Sequence, residues 1–226
     1  MRIAKYLAKS GLGARRKSEL YVKNQEITVN DTLVTDLSYD VSDKDEVRIK
    51  GELVKPLPLV YYALNKPSGY TCSLGDKHAK RLISELVPNE PPVWPVGRLD
   101  RETSGLIILT NDGDLAYRLT HPKFEKEKEY EVVLDKPLTD NELRELKTGI
   151  TLEDGEIRPD SLVYDGQKYL ITIHSGKKRL VRRMFGYFNR TVTGLVRIRI
   201  GRLHLNKLKP GEWRELNEKE MELLDV

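Results

Sequence analysis

Leu106, Ile107, Ile108 and Leu109 form an unbroken apolar run that ends in the turn signal Asn111-Asp112-Gly113. Its length, its β-branched residues and that closing signal make it a buried strand. A buried strand must be covered, so this part of the chain has to build a sheet with further elements packed on it. The segment that leads into it, Gly97-Arg98-Leu99-Asp100-Arg101, places one carboxylate in a tight turn between a leucine and an arginine. Residue types alone leave two readings of Asp100: a turn-capping group, or an acid held in place for chemistry.

The neighbouring segments give the same kind of sheet. "LVYYALNK", "VWPVG", "KEYEVVLD", "LITIH", "LVRIRIG" and "RLHL" read as short strands. "RLISELVP" and "LAYRLTHP" have helical spacing, with Asp114 as the expected N-cap of the latter. "TDNELRELKTGI" opens on a capping residue and closes on Gly149, as a helix does. The expected fold class is therefore α+β, with a mixed but mainly antiparallel sheet.

Upstream, "KYLAKSGLGARRKSELYVKN" predicts two short helices around a glycine break, with Leu20 and Tyr21 of the second facing inward. Ile27 with Val29, and Val47 with Ile49, are period-two pairs typical of half-buried strands. Asn30-Asp31 supplies a turn. "KPLPLV", with two prolines two apart, favours an extended connection. We expect a small α/β domain over residues 1–54 and a second domain over residues 59–226.

Charge divides the chain in the same way. Residues 1–24 hold seven Lys and Arg against one acid, and residues 174–214 hold twelve against one. Acidic stretches lie between: four basic residues against eight acids over 25–55, and seven against twelve over 121–160. Two positive blocks in separate domains suit a polyanionic partner, whose counterions are released on binding. The cluster Arg15, Arg16 and Lys17 forms one cationic corner.

Other function classes are disfavoured. Cys72 is the single cysteine, so a disulfide framework or a cysteine metal site within the chain is excluded. His78, His121, His174 and His204 show no metal-ligand spacing. There is no Gly-rich phosphate cradle, and Ser104 lacks the G-x-S-x-G setting of a nucleophile elbow. No apolar run approaches the ~18 residues of a membrane span, and the basic N-terminus lacks the apolar stretch of a signal peptide. The expectation is a soluble, cytoplasmic protein without metal or cofactor.

Two resemblances sharpen this reading. "KYLAKSGLGARRKSE", "ITVN" and "DEVRI" resemble the S4 RNA-binding domain over roughly residues 1–50, although the glycine usual after "VN" is Asp31 here. "GRLDRETSGLIILTNDGDLAYRLTHP" closely resembles the signature of the RsuA-type ribosomal pseudouridine synthases, and "NKPSGY", "KEYEV", "VRRMF" and "RIGRLHL" continue it in order. That family turns a uridine of folded ribosomal RNA into its C-glycoside isomer. The resemblance implies that Asp100 is the catalytic carboxylate, that Arg182 faces it, and that Tyr130 stacks on the extruded base. Leu195 would close the base's other side, and Arg98 would enter the stack that the uridine leaves.

The tract that includes Lys178, Arg179 and Arg183 would hold the RNA backbone, as would Arg15, Arg16 and Lys17. The family commonly has Gln where this chain has Leu180. The implied substrate is a stem-loop of 23S RNA, within a pre-ribosomal particle, acted on by a monomer. The alternatives are a 16S enzyme of the same family and an RNA-binding assembly factor whose catalysis is dispensable. A uracil-releasing glycosylase would also use a carboxylate.

Overall fold

The computed structural model describes residues 1–73 and 79–224, and in it the chain divides between Val60 and Tyr61. Met1–Val60, with Glu90–Pro92, forms one unit; Tyr61–Asn89 and Val93–Val226 form the other. Residues 55–60 stay with the first, where Leu57 N–H donates to Lys9 O at 2.9 Å.

In the first unit, helices α1 (Ile3–Lys9) and α2 (Arg15–Lys23) precede strands β1 (Ile27–Val29), β2 (Thr32–Leu33), β3 (Val47–Ile49) and β4 (Glu52–Leu53). The strands pair antiparallel in the order β2-β1-β3-β4. Ile3 and Leu7 of α1 and Val22 of α2 are buried with Ile27, Val29 and Val47 in one core. Each such side chain contributes about 1.5–3 kcal/mol. Leu20 departs from expectation: it is exposed, because α2 turns Ser18 and Val22 inward instead. Asn30 and Asp31 both take positive φ, 49° and 62°. Asn30 is held there by Asp45 Oδ1 (3.0 Å) and by Glu46 N–H (3.0 Å), so this hairpin turn forms without the expected glycine.

The second unit holds β5 (Tyr61–Lys66), a 3₁₀ turn (Ile83–Leu86), β6 (Trp94–Pro95), β7 (Ser104–Thr110) and α3 (Gly113–Thr120). Next come β8 (Lys128–Leu134), α4 (Asp140–Thr148), the hairpin β9 (Ile150–Leu152) and β10 (Gly155–Ile157), β11 (Ser161–Tyr164) and β12 (Tyr169–Ile173). The chain closes with α5 (Leu180–Gly186), β13 (Val192–Ile200), β14 (Leu203–His204), β15 (Trp213–Glu215) and α6 (Glu218–Glu222). One sheet runs β11-β12-β8-β13-β7-β5-β15, with β14 on β13 and β6 on β7. Only β7 with β13 is parallel along this path, so the sheet is mixed and mainly antiparallel, as the strand pattern implies.

Leu106 to Leu109 are all essentially inaccessible, which makes β7 the centre of the core. Leu106 and Ile108 pack with Leu115 and Leu119 of α3 and with Ile200 and Leu203. The cap of α3 is Asp112, not Asp114: its Oδ1 accepts from Asp114 N–H (2.9 Å) and Leu115 N–H (3.2 Å). The α4 region follows its sequence, with a Thr139/Glu142 capping box and Gly149 at φ 126° ending the helix. "RLISELVP" closes only a 3₁₀ turn, with Glu85 bonded back to Leu82 N–H at 3.0 Å and Pro88 just beyond.

Candidate active site

A cavity of about 590 Å³ opens in the second unit, bounded by the turn before β7, by β8, by β13 and by the segment that enters α5. The turn is built from its backbone outward. Gly97 takes φ 72°, and Thr103 N–H closes on Asp100 O at 3.0 Å. Lys66, at the end of β5, is completely buried and holds the turn from beneath. Its Nζ donates to Pro67 O (3.0 Å), Arg101 O (3.3 Å) and Thr103 O (2.7 Å). Gly69 N–H reaches Arg101 O at 2.7 Å, Ser68 Oγ reaches Glu102 O at 3.3 Å, and Leu99 N–H points at Cys72 Sγ at 3.3 Å. The "NKPSGYTC" segment therefore fastens the Asp100 turn along its backbone, from Leu99 to Thr103.

That geometry bears on the two readings of Asp100. A capping Asp accepts from nearby backbone N–H groups, as Asp112 does. Among the described residues no hydrogen bond reaches the Asp100 carboxylate, which lines the cavity about one-third exposed. Its ionic neighbour is Arg179, at 3.9 Å from Nη1 to Oδ2. Arg179 also pairs with Glu102 at 3.2 Å, and Glu102 is held below the usual carboxylate range by its own backbone N–H and by Arg179.

Arg182 lines the same cavity but is spent differently from the implied pairing with Asp100. It donates to Val192 O (3.0 Å) and Thr103 Oγ1 (3.4 Å), and its Nε finds no partner among the described residues. Arg182 thus ties α5 to the Asp100 turn and to the start of β13. It stands at this point because Leu180, Val181, Met184 and Phe185 are buried and fix the face of α5. Arg179, immediately before that helix, sits in the left-handed region at φ 51°.

Tyr130 and Leu195 both line the cavity and are nearly buried. They lie on adjacent antiparallel strands, β8 and β13. Arg98 and Lys178 are exposed at the cavity's edge. Arg183 is engaged within the protein, with a two-pronged pair to Asp154 at 2.8 Å on each oxygen. Lys177 donates to Asp154 O at 2.7 Å. Part of the expected backbone grip is thus neutralised locally. Leu180, in the place of the family's Gln, is buried in α5. Arg15, Arg16 and Lys17 are exposed on α2 of the first unit.

The sequence motifs do not single out three cations, one under the Asp100 turn and two in the cavity wall. Lys66 is one. Lys128, two residues before Tyr130 on β8, is pushed down to about 8 by burial and then by the charges of Arg197 and Lys126. Arg197 is 3% exposed. Its signal was present in "LVRIRI": an arginine two residues after Leu195 falls on the same face of a strand. No cluster of His, Cys, Asp and Glu among the described residues could hold a metal ion; His78 lies outside them. No helix among them is long and apolar enough to cross a membrane.

Among the described residues, the Asp100 carboxylate is thus an acid free of capping duty, in a cleft walled by an aromatic ring, an aliphatic side chain and several cations. The comparisons name the class. The family model "RNA pseudouridylate synthase" matches residues 60–187 and the "S4 domain" model matches residues 1–47. An uncharacterized RNA pseudouridine synthase of Aquifex aeolicus (strain VF5) is 42% identical, over 98% of this chain and 92% of its own. Ribosomal large subunit pseudouridine synthase B of Bacillus subtilis (strain 168) is 37% identical over 99% and 95%. The dual-specificity RNA pseudouridine synthase RluF of Escherichia coli (strain K12) is 33% identical over 98% and 77%. A crystal structure of a pseudouridylate synthase superposes with a TM-score of 0.71 at 31% identity, covering 99% of both chains. The chain belongs to the RNA pseudouridine synthase family and carries an S4 domain at its N-terminal end.

Proposed function

We propose that this enzyme isomerises one uridine of 23S ribosomal RNA to pseudouridine, with Asp100 as the reacting carboxylate. The observation that carries the reading is the Asp100 side chain: it faces the cavity with no capping bond from the described residues, on a turn fastened by Lys66. A stacked uridine is out of reach, so the base is first turned out at a cost of a few kcal/mol. Tyr130 and Leu195 then take its two faces, Arg98 enters the space it leaves, and Lys178 and Arg179 hold the backbone. Asp100 attacks C1′ while the electron pair of the C1′–N1 bond passes to the ring. The ring turns, C5 bonds to C1′, and the carboxylate departs with its pair. N1 gains a proton and C5 loses one, so nothing is released. Arg182, through Thr103, keeps the turn in place. Arg15, Arg16 and Lys17 give a second grip, which raises the effective concentration of RNA at the site.

The 23S assignment leans on the large-subunit relative. A 16S enzyme with the same residues is the second reading. Mapping pseudouridines by chemical adduct and reverse-transcription stops, in rRNA of cells with and without the gene, tests both. One missing stop in 23S RNA is expected; a missing stop in 16S RNA transfers the assignment. If Asp100→Asn restores growth and assembly to cells lacking the protein without restoring the stop, binding is the main role. Free uracil among the products would mean a glycosylase.

A further inference from the structure

Arg197 is a cation for which the protein provides too few acceptors. It lies on β13, two residues beyond Leu195 and directly across from Tyr130 on β8. It is 3% exposed and forms part of the cavity wall. A guanidinium has five N–H donors. Nε is spent on Leu106 O at 2.7 Å, and Nη2 has no partner among the described residues. None of the described carboxylates forms an ion pair with it. The neighbouring charges, Lys66 and Lys128, are also positive. Lys66 is satisfied by three carbonyls and Lys128 by Lys126 O (2.7 Å) and His174 O (3.5 Å). Unpaired burial of a cation is costly, so a group able to accept from Arg197 has to come from outside.

We propose that Arg197 donates from its terminal nitrogens to the O4 carbonyl oxygen of the extruded uracil, the oxygen that cytosine lacks, and thereby selects uridine over cytidine. This rests on the reading of Asp100 as the reacting carboxylate. A base lodged between Tyr130 and Leu195 lies next to the one residue that is on Leu195's face and opposite Tyr130. Uracil offers two carbonyl acceptors. Cytosine replaces one with an amino group, a donor that a guanidinium repels. The bond also strengthens during reaction: as C1′–N1 breaks, its electron pair spreads over the ring and onto the carbonyl oxygens. A fixed donor aimed at developing charge is where catalysis gains most. The positive surroundings at Lys66 and Lys128 act in the same direction. The competing role for Arg197 is that of a strut from β13 to β7 through Leu106 O.

The test uses the full-length enzyme and three synthetic stem-loops around the uridine found by mapping. They carry uridine, 2-thiouridine or 4-thiouridine at the target, since sulfur is the poorer acceptor. Single-turnover rates are measured for wild type, Arg197→Met and Arg197→Lys. On uridine, Arg197→Met is expected to lose about 100-fold in rate, the scale for one donor to a developing oxyanion, with RNA binding unchanged. On 4-thiouridine the wild type is already slow and the loss on substitution shrinks to about a tenth of that, whereas 2-thiouridine keeps the full loss; a shrunken loss on 2-thiouridine alone overturns the selectivity. A strut would give the same loss on all three substrates, and that result, or a wild-type rate in Arg197→Met, overturns the proposal. If Arg197→Met melts early, Arg197→Lys is read against the same substrates: it keeps the charge, loses the fork, and must show the same dependence on the substituted oxygen. Asp100→Asn is run alongside. Activity surviving there removes the Asp100 reading, whereas an inactive Asp100→Asn with an unaffected position 197 overturns this inference alone.

Discussion

Lys66 is a lysine that never reaches water. Burial lowers its affinity for a proton, opposed by Cys72, Glu102 and Asp100, and its three carbonyl partners compensate the ammonium. Lys66→Met would leave those carbonyls without a donor, so it is expected to cost about 2–4 kcal/mol in chemical denaturation and to loosen the Asp100 turn. Lys128 yields a pH effect. Its folded value of about 8 lies below the ordinary 10.5. Between these, the unfolded chain binds a proton that the folded chain does not, so stability rises with pH across that window. Below about 8 both states are charged and the gain is absent. Urea midpoints of wild type should rise between pH 8 and 10 relative to Lys128→Met. The motif resemblance pointed to Asp100, Tyr130, Leu195 and Arg182, but not to these buried cations. Lys66 and Arg197 gain much of their meaning from carbonyls far away in the chain, those of Arg101 and Thr103 and of Leu106, which a linear pattern does not reveal.

At the scale of elements, Gly105 is where the sheet leaves no room for a side chain. It is the second residue of β7, paired with Lys66 of β5 on one side and Arg197 of β13 on the other. Its φ is 105°, and an added Cβ would lie 2.2 Å from Arg197 O and 2.6 Å from Arg197 N. Gly105→Ala is expected to cost about 3 kcal/mol or more, seen as a lowered Tm, and to disturb Lys66, Arg197 and the Asp100 turn together. The strands were legible because period-two patterns and the Leu106–Leu109 run survive in any context. The α4 helix was legible because its capping box and Gly149 are local. The end of "RLISELVP" was not, since three residues of helical spacing did not overcome Pro88 and the return of Glu85 to Leu82. Leu20 was misjudged because a short helix with many charges leaves its buried face to tertiary packing. The helix α5 mixes arginines with core residues, so its charge dominated the reading while Leu180, Val181, Met184 and Phe185 determined its orientation.

Across the whole molecule, charge is distributed for a polyanion, yet counting cations overstates the grip. Arg183 and Lys177 are bound to Asp154, while Arg15, Arg16 and Lys17 are exposed, with Arg15 only loosely met by Glu19 at 4.0 Å. Replacing those three by Ala should lower RNA affinity and flatten its dependence on salt, by about 0.7–0.9 in log–log slope for each phosphate that is no longer neutralised. An unchanged slope would mean that this corner does not touch RNA. The Pro-rich stretch lies at the end of the first unit, and the return of Glu90–Pro92 to that unit had no sequence signal. The central claim is tested most directly by single-turnover conversion of the mapped stem-loop with wild type and with Asp100→Asn, the nearest change in shape that removes the carboxylate. Conversion should stop while RNA binding and Tm stay as in wild type. Pseudouridine formed by Asp100→Asn at the wild-type rate would contradict the account.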